Sequence, residues 1–386
     1  MSRVVGISLG SHTNDLGGKI WNPAIRWTKK HSVFVTLEDE SGARGIGECW
    51  CFDTAPDAIL AFLRTEVVPH FLGAELAEVP EICARLTRAA TLTARHGILA
   101  SALSGVDIAA WDLRAKLSGK PVWQLLDDTR SGSVQLYASG GLYGLDKSKE
   151  QLGQEMAGFA GQGFSLSKMK VGGMPLEDDI ARVNAVLAVL PQDASLIIDA
   201  VYSYSADQAQ QLYDALPEGR IAAFQSPVAA DDLKGMRQLG DAGIAVLANE
   251  AEYRAELHTG LIEEARVAYL QVAPVACGGI SRVMAMNEQL QGIPTRLSLE
   301  VSSTAVAMMA ACHLAAANSA IAHVEYHSVH TVFFDRLALS WRKQTPGVVQ
   351  LPDVPGLGIE LSGVGLDHQY HADAPDNKQE PYHTAV

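Results

Sequence analysis

From Val134 to Tyr326 the chain alternates short β-rich runs with amphipathic stretches at helical spacing. The runs read VQLYASG, SLSKMKV, SLIIDA, AAFQSP, AVLANE, YLQVAP, TRLSLE and AHVEY. Each has the length and branched or aromatic content of a buried strand, and apolar residues return at every third or fourth position between them. Eight runs with seven helical stretches between them predict a closed barrel of βα units rather than an open doubly wound sheet.

The part before Val134 has a different rhythm. RVVGISL and SVFVTLEDESGARGIGEC read as a strand meander, with the polar ESG turn joining two alternating runs into a hairpin. HTNDLGGKIWNP, between them, is rich in Gly, Asn and Pro and reads as an irregular loop, suited to a lid or simply exposed. After Pro56, helical spacing runs through PDAILAFLRTEVVPHFL, EICARLTRAATL and ILASALSGVDIAAWDLRAKLSG, with a Gly stop and a Pro restart at SGKPVWQLLD. The expected organisation is an α+β domain over 1–128, a barrel over 129–330, and a C-terminal segment over 331–386. In that segment the turn-rich PDVPGLGIEL is expected to return to the first domain as a strand.

With 386 residues, 48% of them apolar, the chain can bury a large core and accommodate both domains. A formal charge of −14 and a pI near 5.3, with no basic block, make nucleic acid a poor partner. No segment reaches the roughly 20 apolar residues that span a bilayer, and no signal-like leader is visible, so a cytoplasmic protein is expected. Cys49, Cys51, Cys83, Cys277 and Cys312 are scattered without zinc spacing and read as small buried hydrophobes.

The chemistry is expected at the strand ends. Asp199 closes SLIIDA, Gln225 turns AAFQSP and Glu250 stops AVLANE, which sets three oxygen donors on the C-terminal rim of adjacent strands, as a hard cation such as Mg²⁺ requires. One such residue alone could be a helix N-cap. Gln225 brings an uncharged oxygen, so weaker retention of the metal is expected. Lys168 and Lys170 alternate along SLSKMKV and leave one strand face together. Mutual repulsion and a nearby dication should lower at least one of their pKa values toward neutrality and make a base. An anionic substrate would find its positive charge there. Glu300 and Glu325 end the last two runs. Either could pair with a lysine, or Glu300 could stay protonated and donate to a leaving hydroxyl.

Taken in order, SGVDIAAWDLRAKLSGKPVWQLL, LYASGG, SKMKVGG, LIIDA, LANE, CGGISR, AACHLAAA, HVEYH and PGLGIEL resemble the mandelate racemase and muconate lactonizing branch of the enolase superfamily. The resemblance covers nearly the whole chain. It implies a modified (β/α)₇β TIM-type barrel under an N-terminal α+β capping domain, with Mg²⁺-assisted removal of a proton α to a carboxylate. It further implies Lys170 as the base, Lys168 as the group polarising the carboxylate, Asp199 and Glu250 as the outer metal ligands, and Glu325 as a hydrogen-bonding partner of the enolate oxygen. Departures accompany it. Gln225 is followed by Ser226 and Pro227 where the family pattern has a Glu-Glu-Pro string, Ala273 stands where an aspartate orients a histidine, and Glu300 stands where that histidine lies.

Without that dyad, a one-base dehydration of a sugar acid or other hydroxy acid to a 2-keto acid is the expected activity. A racemase, epimerase or cycloisomerase of the same family is the first alternative. A barrel glycosidase using Glu250 and Glu300 and a degenerate binding protein are the others. The partner is a small carboxylate, and relatives usually assemble, so a homo-oligomer is expected. Specificity is expected from the segment from His12 to Asn22, from the region around Phe52, and from Tyr137.

Overall fold

Within each barrel run, alternate side chains part into two packing sets. Leu196 and Ile198 join the core shared with the outer helices, whereas Ile197 between them packs with Tyr137, Ala223 and Leu247 in the lumen. A barrel buries both faces of its strands, so the period of two operates even where every residue is apolar. The computed structural model describes residues 2–51, 56–127, 129–249, 252–330, 347–359 and 366–374.

Eight parallel strands close in chain order: Tyr137–Ser139, Leu166–Lys170, Ser195–Asp199, Ile221–Gln225, Val246–Ala248, Tyr269–Val272, Arg296–Leu299 and Ile321–His327, the last pairing with the first. The helices Lys149–Gly161, Leu176–Val189, Ala206–Asp214, Leu233–Asp241, Ala255–Glu263, Gly279–Gln289 and Ala305–Ala317 alternate with them. The first run divides in two: Ser133–Gln135 leaves the barrel to pair with Val348–Gln350, and only Tyr137–Ser139 joins the closed sheet.

Two expectations are corrected. HTNDLGGKIWNP is largely not a loop, because one strand runs unbroken over Val4–Trp21 against Arg26–Asp39. Its glycines are absorbed in a bulge: Gly17 and Gly18 take φ of 73° and 65° where the register shifts between Asp15 and Ile20. The strand returning from the C-terminus is His368–Asp373, which pairs antiparallel with Gly6–Ser11, and residues 352–359 of the PDVPGLGIEL stretch form none. Leu357 N donates instead to Asp112 Oδ1 at 2.7 Å and Gly356 N to Lys120 O at 3.0 Å, which docks this turn on the end of the helix His96–Leu117.

That helix joins the domains. It lies against Arg44–Cys49 on one side and reaches the barrel through buried acids on the other. Asp107 accepts from Ser281 N at 2.9 Å, at the start of the helix Gly279–Gln289. Gly279 has φ +86°, and a Cβ there would stand 2.3 Å from Asp107 Oδ2, so glycine is required. Burial, the largest influence, pushes the Asp107 carboxyl up to about 6, against the lowering effect of its Ser281 hydrogen bonds. A carboxyl whose folded pKa is raised favours the folded state below its unfolded value near 3.8, and that contribution is lost as pH rises through about 6. Between pH 4 and 6, wild type should lose about 2 kcal/mol relative to Asp107→Asn. Urea melts of both proteins across that range measure it, and parallel curves would count against the burial of this charge.

No helix among the described residues is long and apolar enough to cross a membrane. Cys49, Cys51, Cys277 and Cys312 are buried, Cys83 is half-buried, and all are free thiols.

Candidate active site

Parallel register places the lumen-facing side chains in layers. Lys168 lies level with Ile197 and Ser139, Lys170 with Asp199, and Asp199 with Gln225. Lys170 and Asp199 end their strands, so their charged tips lie at the C-terminal mouth above the apolar plug of Ile197, Ala223 and Leu247. The Lys168 ammonium is the hub. It stands 2.6 Å from Glu325 Oε1, 3.1 Å from Gln225 Oε1 and 3.7 Å from Asp199 Oδ2. Lys170 Nζ pairs with the same Asp199 Oδ2, while Asp199 Oδ1 accepts from Val201 N at 3.1 Å. The sequence-predicted Lys168, Lys170, Asp199, Gln225 and Glu325 thus form one contiguous buried cluster.

Its electrostatics bear on Lys168 and Glu325. Burial by itself would lower the Lys168 pKa, yet Glu325 first, then Tyr137, Asp199 and Glu300, raise it well above the ordinary lysine value, so Lys168 is a fixed cation. Burial would likewise raise Glu325, but Lys168 holds it below the usual carboxylate range, and its Oε2 accepts from Val301 N at 3.0 Å. Glu325 is thereby the ion-pair partner of Lys168, one of the two pairings open from the sequence.

Glu300 is buried at the end of the seventh strand, its N–H donating to Val272 O at 2.9 Å, and its charge reaches Lys168. Tyr137 lies lower than expected. Only 2% exposed, it packs in the plug with its ring 5.6 Å from Lys168 Nζ and its hydroxyl 3.4 Å from Gln271 Nε2. It supports the site from beneath instead of lining its mouth. His12 is half-buried and pairs with Ser32, on the sheet face that carries Lys30, Phe34 and Glu48. Phe34 belongs to the barrel core and its neighbours Val33 and Val35 to the capping core, so this face looks toward the barrel. Glu250 and Phe52 lie outside the described residues.

Two supporting networks escaped the sequence reading. Asp179 accepts from Tyr143 OH at 2.6 Å, Tyr204 OH at 3.1 Å, Gly172 N at 2.7 Å and Arg182 Nη1 at 3.0 Å, and Arg182 Nη1 also donates to the Lys170 carbonyl at 3.0 Å. The backbone behind Lys170 is thereby clamped. Trp21, at the end of the long first strand, stacks on Tyr143 at 4.3 Å. On the other side Glu48 of the capping sheet accepts from the Ser303 and Thr304 hydroxyls and from Ala307 N, at the start of the helix that follows Glu300. Burial raises the Glu48 carboxyl above its ordinary range despite those hydroxyls and Lys30. No spacing along the chain links Glu48 to Ser303; only docking of the domains does.

The donor set suits a hard cation. Oxygens of Asp199 and Gln225, from adjacent strands, already converge on one positive charge, the Lys168 ammonium. Among the described residues no three histidine, cysteine or acidic side chains gather as a metal-ligating group. The third expected oxygen donor, Glu250, lies outside those residues.

Comparison with known proteins agrees with this architecture. Residues 24–127 match the mandelate racemase / muconate lactonizing enzyme N-terminal domain, and residues 151–364 match the enolase C-terminal domain-like family. The chain belongs to the mandelate racemase and muconate lactonizing enzyme family. Within this branch of the enolase superfamily it is 25% identical over 342 residues to an arabinonate dehydratase of Saccharolobus solfataricus, covering 88% of this chain and 91% of that one. It is 28% identical over 352 residues to a D-galactarolactone cycloisomerase of Agrobacterium fabrum, with the same two coverages, 88% and 91%. Its fold matches that of an L-talarate dehydratase from a Polaromonas strain, solved with Mg and L-glucarate, at a TM-score of 0.82 and 24% identity, covering 97% of this chain and 99% of that one. Enzymes similar to this chain include dehydratases, cycloisomerases and epimerases.

Proposed function

We propose that this chain is a Mg²⁺-dependent acid dehydratase, which removes the proton α to a carboxylate and expels the β-hydroxyl to leave a 2-keto acid. The observation that carries the reading is the pair of lysines on one strand face, both engaged with the acid and amide oxygens of the neighbouring strands. Asp199 and Gln225, with Glu250, would hold the ion, which when bound supplies positive charge to stabilise the anion that forms beside the carboxylate.

Lys168 remains an ammonium and holds the substrate carboxylate. The base is therefore Lys170, which acts as its neutral amine: its Nζ takes the α-proton, the C–H electron pair becomes the C=C bond of an enol, and the β C–O bond breaks. The departing oxygen takes a proton from Glu300 or back from Lys170, water leaves, and the enol tautomerises to the ketone. Burial of the lysine tips excludes water from the step and strengthens each charge.

The test is a screen of hydroxy acids with Mg²⁺ for a 2-keto product. The proposal expects at least one acid to yield it. Recovered substrate that carries deuterium at Cα after incubation in D₂O, with no keto product, would instead assign racemisation or epimerisation, with Glu300 on the seventh strand as the second proton carrier. A wild-type enzyme giving neither keto product nor deuterium uptake across the library would sink both readings.

A further inference from the structure

His327 lies two residues beyond Glu325 on the last barrel strand and pairs with Ser139, itself level with Lys168. The period of two that turns Glu325 inward turns His327 inward one layer higher, at the mouth. The residue is 3% exposed. Its ring is clasped by Trp27 of the capping sheet, with centroids 5.4 Å apart and planes within 24°, and by His330 at 4.6 Å. His330 is held in turn by Ser302 Oγ at 3.2 Å and by Trp27 at 5.5 Å. Burial first, then Lys168, Lys170 and Lys30, drive the His327 imidazole well below the ordinary histidine range, so the ring is neutral. Its Nδ1 is buried and has no hydrogen-bond partner among the described residues.

A buried polar nitrogen left unpaired costs about 1–3 kcal/mol, and here the ring stands on the lumen side of the last strand, within the influence of Lys168 and Lys170. We propose that His327 is a specificity-determining residue that hydrogen-bonds a substrate hydroxyl beyond the carboxylate end, so that a hydroxylated acid is preferred over a plain one of equal length. A hydroxyl both donates and accepts and so matches Nδ1 in either tautomer, whereas a second carboxylate only accepts. The inference rests on the carboxylate-binding reading given under Proposed function.

The probes are four- to six-carbon aldonates and aldarates, set against unsubstituted mono- and dicarboxylates of equal length, titrated with MgCl₂ present by calorimetry into wild type, His327→Leu and His327→Gln. Wild type should prefer the hydroxylated series by about 10-fold or more, the worth of one well-made hydrogen bond. His327→Leu should shrink that ratio to within about 3-fold, and the amide of His327→Gln should restore part of it. In wild type the ¹⁵N resonance of the His327 imidazole should move with hydroxylated acids and not with plain ones, a readout that needs no variant to fold. A ratio unchanged in His327→Leu, an unmoved resonance, or a wild type with no preference between the series overturns the inference alone. Binding of neither series by wild type overturns the carboxylate reading and this inference with it.

Discussion

In Lys170→Ala, the rate at which the substrate gives up its α-proton, whether to keto product or to exchange with solvent deuterium, should fall by about 10²- to 10⁴-fold, the usual contribution of a positioned general base. The acid used is any that the wild type turns over, and the signal is the Cα proton followed by NMR in D₂O. The protein should remain folded, because Asp199 loses one of its two cationic neighbours but keeps Lys168 at 3.7 Å and the Val201 N–H at 3.1 Å. Binding of the substrate carboxylate should weaken far less than this rate falls, since Lys168 is untouched. A rate within tenfold of wild type would move the base elsewhere. Lys168→Ala should show the opposite division, with binding lost and Glu325 left as a buried carboxylate without its nearest cation, at about 3–5 kcal/mol of stability.

A large effect on folding is expected from Gly47→Ala, at a position without charge. A Cβ at Gly47 would stand 1.9 Å from the Gly105 carbonyl oxygen and 2.7 Å from Ala109 N, both backbone atoms of the helix His96–Leu117. Neither can swing aside as a side-chain tip can. The strand and helix must separate, and about 3 kcal/mol or more should be lost in urea unfolding, at the upper end of overpacking effects. Gly158→Ala is the matched control: it lies in the helix Lys149–Gly161 with nothing within 4 Å of the added methyl, and should stabilise by about 0.5–1 kcal/mol. Glu48 follows Gly47 and reaches Ser303 and Thr304 from the same strand, so substrate binding should weaken along with stability. A Gly47→Ala protein as stable as wild type would show that this close approach does not hold the capping sheet to its helix.

The parts of the fold legible in the chain are those governed by local period. The eight runs were recognisable because barrel strands are short, branched and bounded by turns. The inward side chains followed from counting by two, which is why Lys168 with Lys170, and Asp199 and Gln225 at their strand ends, could be placed together without coordinates. His327 carries the same signal, two residues past Glu325. Legibility fails where one segment is completed by another far along the chain. The long first strand is irregular by its Gly and Asn content alone, and the partner strand that supplies its hydrogen bonds makes it regular. The returning strand His368–Asp373 has no strong pattern of its own and is defined by the edge it joins.

By itself, the order of residues determined the barrel, the facing of the lysines and the strand-end oxygens, because backbone geometry converts spacing along a strand directly into direction in space. Only the tertiary structure decided the charge states and the docking of the cap. Whether Lys168 is a base or a fixed cation depends on Glu325 standing 2.6 Å from it, and that approach between the eighth and second strands exists only once the barrel has closed. Coulomb energies and desolvation follow distances through space, and separation along the chain does not specify those distances.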